Sequence, residues 1–130
     1  MNVDGGARGN PGPAAIAAVA ASPEGEVLER RGEAIGRATN NVAEYKALLL
    51  GIELARELGA TEIELVGDSE LIVRQVKGEY RVKHADLQPL HQAVRKALES
   101  FERWSIRHVR RDQNAAADAL VNETLDRVAS

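Results

Sequence analysis

Apolar residues recur at helical spacing between positions 42 and 58, at Val42, Tyr45, Leu48, Leu49, Ile52 and Ala55. Asn40 or Asn41 stands where an N-cap belongs and Gly59 lies just past the end, so this segment reads as the clearest helix of the chain. Upstream, residues 13–22 (PAAIAAVAAS) are apolar almost throughout and are followed by Pro23-Glu24-Gly25, a turn composition, and by 26–34 (EVLERRGEA). This pattern predicts an antiparallel hairpin whose first strand is central in a sheet. Residues 62–66 alternate around Ile63 and Leu65, Gly67-Asp68-Ser69 reads as a turn, and a second helical pattern covers 70–76. A third helix is expected over 87–103, a strand over 104–109 (WSIRHV), and a last helix capped by Asn114 and running to about Val128. Only residues 1–3 precede Asp4, so a short first strand ending at Asp4 is expected.

Strands first, then helices alternating with strands, predict an α/β fold in which a mixed sheet is covered by helices. The 130 residues suffice for one core, and no linker, repeat or low-complexity tract divides them, so a single domain over 1–130 is expected. Hydrophobic residues at 44% and charged residues at 28% match a folded globular chain. No apolar run approaches the roughly 20 residues of a membrane span and the start lacks signal-peptide regions, so the expected location is cytoplasmic. The chain has no cysteine, which excludes thiolate catalysis and leaves oxygen or imidazole to hold any metal.

The formal charge of -3 does not favour nucleic acid, since domains that bind phosphates usually carry a basic excess. Two local stretches are basic: Arg74, Lys77, Arg81, Lys83 and His84, and Arg103, Arg107, His108, Arg110 and Arg111. Solvated faces explain both equally well.

Four acidic residues sit at predicted element boundaries: Asp4, Glu44, Asp68 and Asp118. Each has a structural explanation when taken alone. Glu44 follows Asn41 by three positions and completes a capping box, Asp68 suits a turn, and Asp118 suits the positive end of a helix dipole.

Together with their surroundings they are less ordinary. DGGARGNPGP at 4–13, TNNVAEYKAL at 39–48, GDSELIVRQVKGEY at 67–80 and NAAADAL at 114–120 resemble the successive motifs of type 1 ribonucleases H, in family order and across nearly the whole chain. The resemblance implies a ribonuclease H-like fold with a five-stranded mixed sheet. It also implies an endonuclease that cuts the RNA strand of RNA–DNA hybrids, with Asp4, Glu44, Asp68 and Asp118 as catalytic metal ligands. Gathered carboxylates repel one another, and two hard cations, magnesium or manganese, would relieve that repulsion. Two ions about 4 Å apart clamp a phosphate in such hydrolysis, one preparing the attacking water and the other stabilising the leaving 3′ oxygen. The expected products carry 5′-phosphate and 3′-hydroxyl ends, and no organic cofactor is expected.

Selecting RNA requires groups that read the 2′-hydroxyl. Asn10, Asn40 and Asn41 are placed for it; the resemblance gives Asn10 and Asn41 to the minor groove near the cut, and Arg37, Thr39 and Asn40 to a pocket for a DNA-strand phosphate. Helix capping is the plainer reading of Asn40 and Asn41. The chain departs from many relatives in two respects: residues 78–87 leave no room for their extra basic helix, and residues 110–113 replace a longer loop that carries a histidine. Arg111, in that short segment, is the candidate to steady a phosphate. His84, His91 and His108 match no motif position, and Phe101 and Trp104 read as core. The competing readings are a silent module that binds hybrid or a protein partner, and a related nuclease acting on DNA. Fusion to a further domain in the native protein is compatible with all of them.

Overall fold

β1 (Asn2–Ala7), β2 (Gly12–Ala21) and β3 (Val27–Ala38) pair antiparallel in chain order, and β4 (Glu62–Gly67) and β5 (Arg103–His108) extend the sheet in parallel beyond β1. The resulting order is β3-β2-β1-β4-β5 in the computed structural model, which describes residues 1–129. Four α-helices complete the described residues: α1 (Asn40–Glu57), α2 (Glu70–Lys77), α3 (Gln88–Leu98) and α4 (Ala115–Ala129), the last preceded by a 3-10 turn at Arg111–Asn114. This is the expected five-stranded mixed sheet. None of the helices is long and apolar enough to cross a membrane.

β2 is apolar throughout because both of its faces are buried. Ile16, Ala18 and Ala20 pack with Tyr45, Leu48 and Ile52 of α1 and with Leu65, Val94 and Leu98, whereas Ala15, Ala17 and Val19 pack on the other face with Ala117, Leu120, Val121 and Leu125 of α4. Each large apolar side chain buried in this way contributes roughly 1.5–3 kcal/mol. Inside the main core the Tyr45 hydroxyl donates to Gln75 Oε1 at 2.6 Å and ties α1 to α2.

Several local expectations are corrected. The cap of α1 is Thr39, whose hydroxyl accepts from Val42 N at 3.2 Å, so neither Asn40 nor Asn41 caps the helix. β1 does not end at Asp4 but continues to Ala7, because β2 pairs with it over its full length. β3 runs four residues past the expected end, to Ala38, with a register shift where Gly36 adopts φ 78° opposite Ala14. α3 stops at Leu98, although the apolar spacing persists: Phe101 is buried in the core after the turn, its N–H bonded to the Leu98 carbonyl. Asn114 does not project outward as a cap, since its side chain is buried against β1.

Acidic neighbours pair with part of the two basic stretches. Arg74 pairs with Glu70 and lies over Tyr80, Arg103 pairs with Glu62, Arg107 with Glu64, and Arg110 with Asp112.

Candidate active site

The site arises where two neighbouring strands part. β1 registers with β4 only at Asn2–Val66, and β4 stops at Gly67, so the edge of β1 beyond Val3 lacks a partner strand. Buried or half-buried backbone polar groups need partners, and side chains supply them here. Asn114 Nδ2 donates to the Val3 carbonyl at 2.8 Å, the Gly5 N–H donates to Glu44 Oε1 at 2.7 Å, and the Ala7 N–H donates to Asn40 Oδ1 at 2.9 Å. α1 can come this close because position 5 is glycine: a Cβ there would lie 2.3 Å from the Ala43 carbonyl oxygen.

Glu44 is thereby brought over β1 beside Asp4, and Asp68, just past the end of β4, faces both. One carboxylate oxygen from each of Asp4, Glu44 and Asp68 lies within 4.8 Å of the others. Asp118 falls outside that group but lines the same cleft, and its charge raises the Asp4 carboxyl further. Burial, the Asp68 charge and Asp118 push Asp4 up to about 7, against its usual 3.8. Glu44 is raised well above the ordinary carboxylate range by burial and by Asp4. The protein alone therefore holds an acidic cluster short of positive charge. An all-oxygen donor set of this kind fits hard divalent cations, and Asp4, Glu44 and Asp68 lie close enough together that they could hold one.

The cleft, about 520 Å³, also takes in Asn40, Asn41, Ser69, Arg111 and Asn122. A neighbouring hollow of about 200 Å³ is lined by Asn10, Thr39, Asn41 and His84. Of the predicted ligand-binding set, Asn41 borders both spaces, Asn40 the acidic cleft, and Asn10 and Thr39 the hollow. Arg37 lines neither; it sits on β3 opposite Pro13. Asn10 and Asn40 are interlocked, the Asn40 N–H donating to Asn10 Oδ1 at 3.0 Å. Their side-chain oxygens are thus used within the protein, and their amide hydrogens are what they offer to a ligand.

Sequence reasoning missed Arg8 and the inward role of Asn114. Arg8 lines the cleft and donates to Asp126 at 2.6 Å, joining the β1–β2 turn to α4. Its signal was weak, one arginine in a glycine-rich turn. His108 is exposed at the end of β5 and lines neither space, whereas His91 is tied to the Gln75 carbonyl.

Comparison with known proteins fits this geometry. The chain is 47% identical over 123 residues to ribonuclease HI of Halobacterium salinarum, covering 95% of this chain and 62% of that one. The crystal structure of the same organism's RNase H1 superimposes with a TM-score of 0.94, at 46% identity, over 96% of this chain and 95% of that chain. Against the bifunctional protein Rv2228c of Mycobacterium tuberculosis identity is 44% over 130 residues, 99% of this chain but 36% of the longer one. The chain thus spans less than two thirds of the full length of these two relatives. LC11-RNase H1, crystallised in complex with an RNA/DNA hybrid, matches with a TM-score of 0.95 and 40% identity, over 99% of this chain and 97% of that one. With the reverse transcriptase-like family model matching residues 2–124 as well, the chain belongs to that family and is similar throughout to type 1 ribonucleases H.

Proposed function

We propose that this chain is a ribonuclease H, an endonuclease that hydrolyses the RNA strand of RNA–DNA hybrids and leaves 5′-phosphate and 3′-hydroxyl ends. The observation that carries the reading is the convergence of Asp4, Glu44 and Asp68 within 4.8 Å, with Asp118 on the same cleft and asparagine amides at its rim. The hybrid bound to the similar LC11-RNase H1 supports the substrate.

Asp4, Glu44, Asp68 and Asp118 would hold two magnesium or manganese ions, which supply Lewis acidity at the phosphate when bound. Water attacks phosphorus, the bond to the 3′ oxygen breaks, and that oxygen leaves with a proton. The side chains bring the charge that anchors the site, and the Gly5 N–H keeps Glu44 oriented. Asn10, Asn40 and Asn41 select the substrate: with the oxygens of Asn10 and Asn40 already occupied, amide hydrogens meet the lone pairs of a 2′-hydroxyl oxygen, which deoxyribose lacks. Thr39, which borders the neighbouring hollow, would receive a DNA-strand phosphate together with Arg37, which stands on β3 outside that hollow, and Arg111 steadies the phosphate at the cut. The chain acts in the cytoplasm without an organic cofactor, and the longer mycobacterial relative supports fusion to a further domain.

Incubation with hybrid, double-stranded RNA, double-stranded DNA and single-stranded RNA, each with Mg²⁺, Mn²⁺ or chelator, tests the reading. Cleavage of the RNA strand of hybrid alone, abolished by chelator, is expected. Cleavage of DNA, or of nothing, overturns it.

A further inference from the structure

Asn114 is 1% exposed, and every part of its amide is used. Nδ2 donates to the Val3 carbonyl at 2.8 Å and, at a long 3.5 Å, to Asp68 Oδ2, while Oδ1 accepts from Asn2 Nδ2 at 3.0 Å. It therefore stands in for the partner strand that β1 loses where β4 ends, and it touches a carboxylate of the acidic cleft directly. It also lies three residues after Arg111 and four before Asp118, so it pins the segment that carries both.

The amide that completes the edge of β1 thus also faces a carboxylate of the acidic cleft. We infer that Asn114 is the positioning residue of the metal centre, setting the placement of Asp68 and Asp118 relative to Asp4; this rests on the ribonuclease reading above. An asparagine suits the position better than an aspartate, because both of its inward partners, Val3 O and Asp68 Oδ2, are acceptors. Alanine would leave the Val3 carbonyl and Asp68 without their donor and Asn2 without its acceptor. The 3-10 turn would then be free to shift, taking Asp118 with it.

The test combines Mn²⁺ binding by calorimetry with steady-state cleavage of hybrid and thermal unfolding. Asn114→Ala should lose about 10- to 100-fold in Mn²⁺ affinity, the usual cost of removing an outer partner of a ligand. Its kcat should fall with KM for hybrid unchanged, and excess Mn²⁺ should restore much of the loss. Asn114→Asp should be worse than alanine in Mn²⁺ affinity despite its matching shape. Asn2→Ala removes a single bond to the same amide and should give a smaller loss in the same direction, which keeps the test decisive if Asn114→Ala does not fold. A folded Asn114→Ala, or Asn2→Ala where it does not fold, that unfolds at lower temperature but keeps wild-type Mn²⁺ affinity and kcat overturns the inference alone. Wild-type protein that neither cuts hybrid nor binds Mn²⁺ overturns the ribonuclease reading and this inference with it.

Discussion

The Gly5 backbone N–H donates to Glu44 Oε1 at 2.7 Å across 39 positions of sequence. One hydrogen bond thus couples the strand that carries Asp4 to the helix that carries Glu44, and it forms only because α1 lies against a residue without a side chain.

Gly5→Ala should therefore act on both fold and chemistry. A methyl 2.3 Å from the Ala43 oxygen forces α1 off β1, at a cost of about 1–3 kcal/mol typical of overpacking. Urea unfolding measures that cost. Turnover of the folded fraction should drop at least tenfold, and normal activity would show that the separation of Asp4 and Glu44 is not critical.

Asp68→Asn should abolish cleavage, by more than the roughly 100-fold that loss of an outer-shell partner costs, while hybrid binding stays near wild type in a gel-shift assay. The substitution removes ligand charge from a half-buried position without removing packing. Near wild-type turnover would sink its assignment as a metal ligand.

Stability in chelator should depend on pH through Asp4. With its carboxyl raised from 3.8 to about 7 by burial and by Asp68, the folded protein keeps a proton that the unfolded chain releases. The raised value favours folding fully below about pH 4, and that contribution is lost as pH rises through about 7. Asp4→Asn should match wild type near pH 4 and be more stable at pH 8 by thermal unfolding. Mg²⁺ should stabilise wild type more at pH 8 than at pH 5, because the ligands must first lose protons. An equal effect of Mg²⁺ at both pH values would contradict the electrostatic account.

The two rim positions on α1 should separate cleanly. Thr39→Ala removes the cap and should cost about 1 kcal/mol of stability. Asn41→Ala removes no cap and should leave stability within about 0.5 kcal/mol, while it weakens cleavage. If Asn10 and Asn41 read more than one 2′-hydroxyl, as proposed, hybrids containing a single ribonucleotide should be cut far more slowly than those with several. Equal rates on the two hybrids would remove that role.

Arg111 lines the acidic cleft and His108 does not. Arg111→Ala should lower turnover about tenfold, equivalent to about 1.4 kcal/mol in the barrier, with little change in metal affinity. His108→Ala should be nearly silent in kinetics taken at several pH values. The reverse pattern would show that the histidine moves the proton.

The sequence displayed its helices and hairpin through periodicity, and all four carboxylates through their motifs. It hid what depends on pairing between distant segments. β1 looked as if it ended at Asp4 because Gly5 and Gly6 carry no apolar alternation, yet β2 pairs with it as far as Ala7. Asn40 and Asn41 looked like caps because the local pattern cannot show that Thr39 already fills that position while Asn40 serves the Ala7 N–H. Glu44 looked like half of a capping box, but its oxygen bonds a strand rather than its own helix end. Asn114 was the hardest to read, because a helix-start asparagine and a buried strand substitute have the same sequence signature.

α4 rests on the sheet through a small satellite cluster of Ala117, Leu120, Val121 and Leu125 against three short side chains of β2, apart from the main core beneath α1. Regions with few buried apolar contacts open first in native-state exchange. Detachment of this helix takes Asp118 away from the cleft and leaves Asp4, Glu44 and Asp68 in place. The fourth carboxylate is thus anchored by a smaller apolar cluster than the other three, and amide hydrogen exchange should find α4 opening before α1.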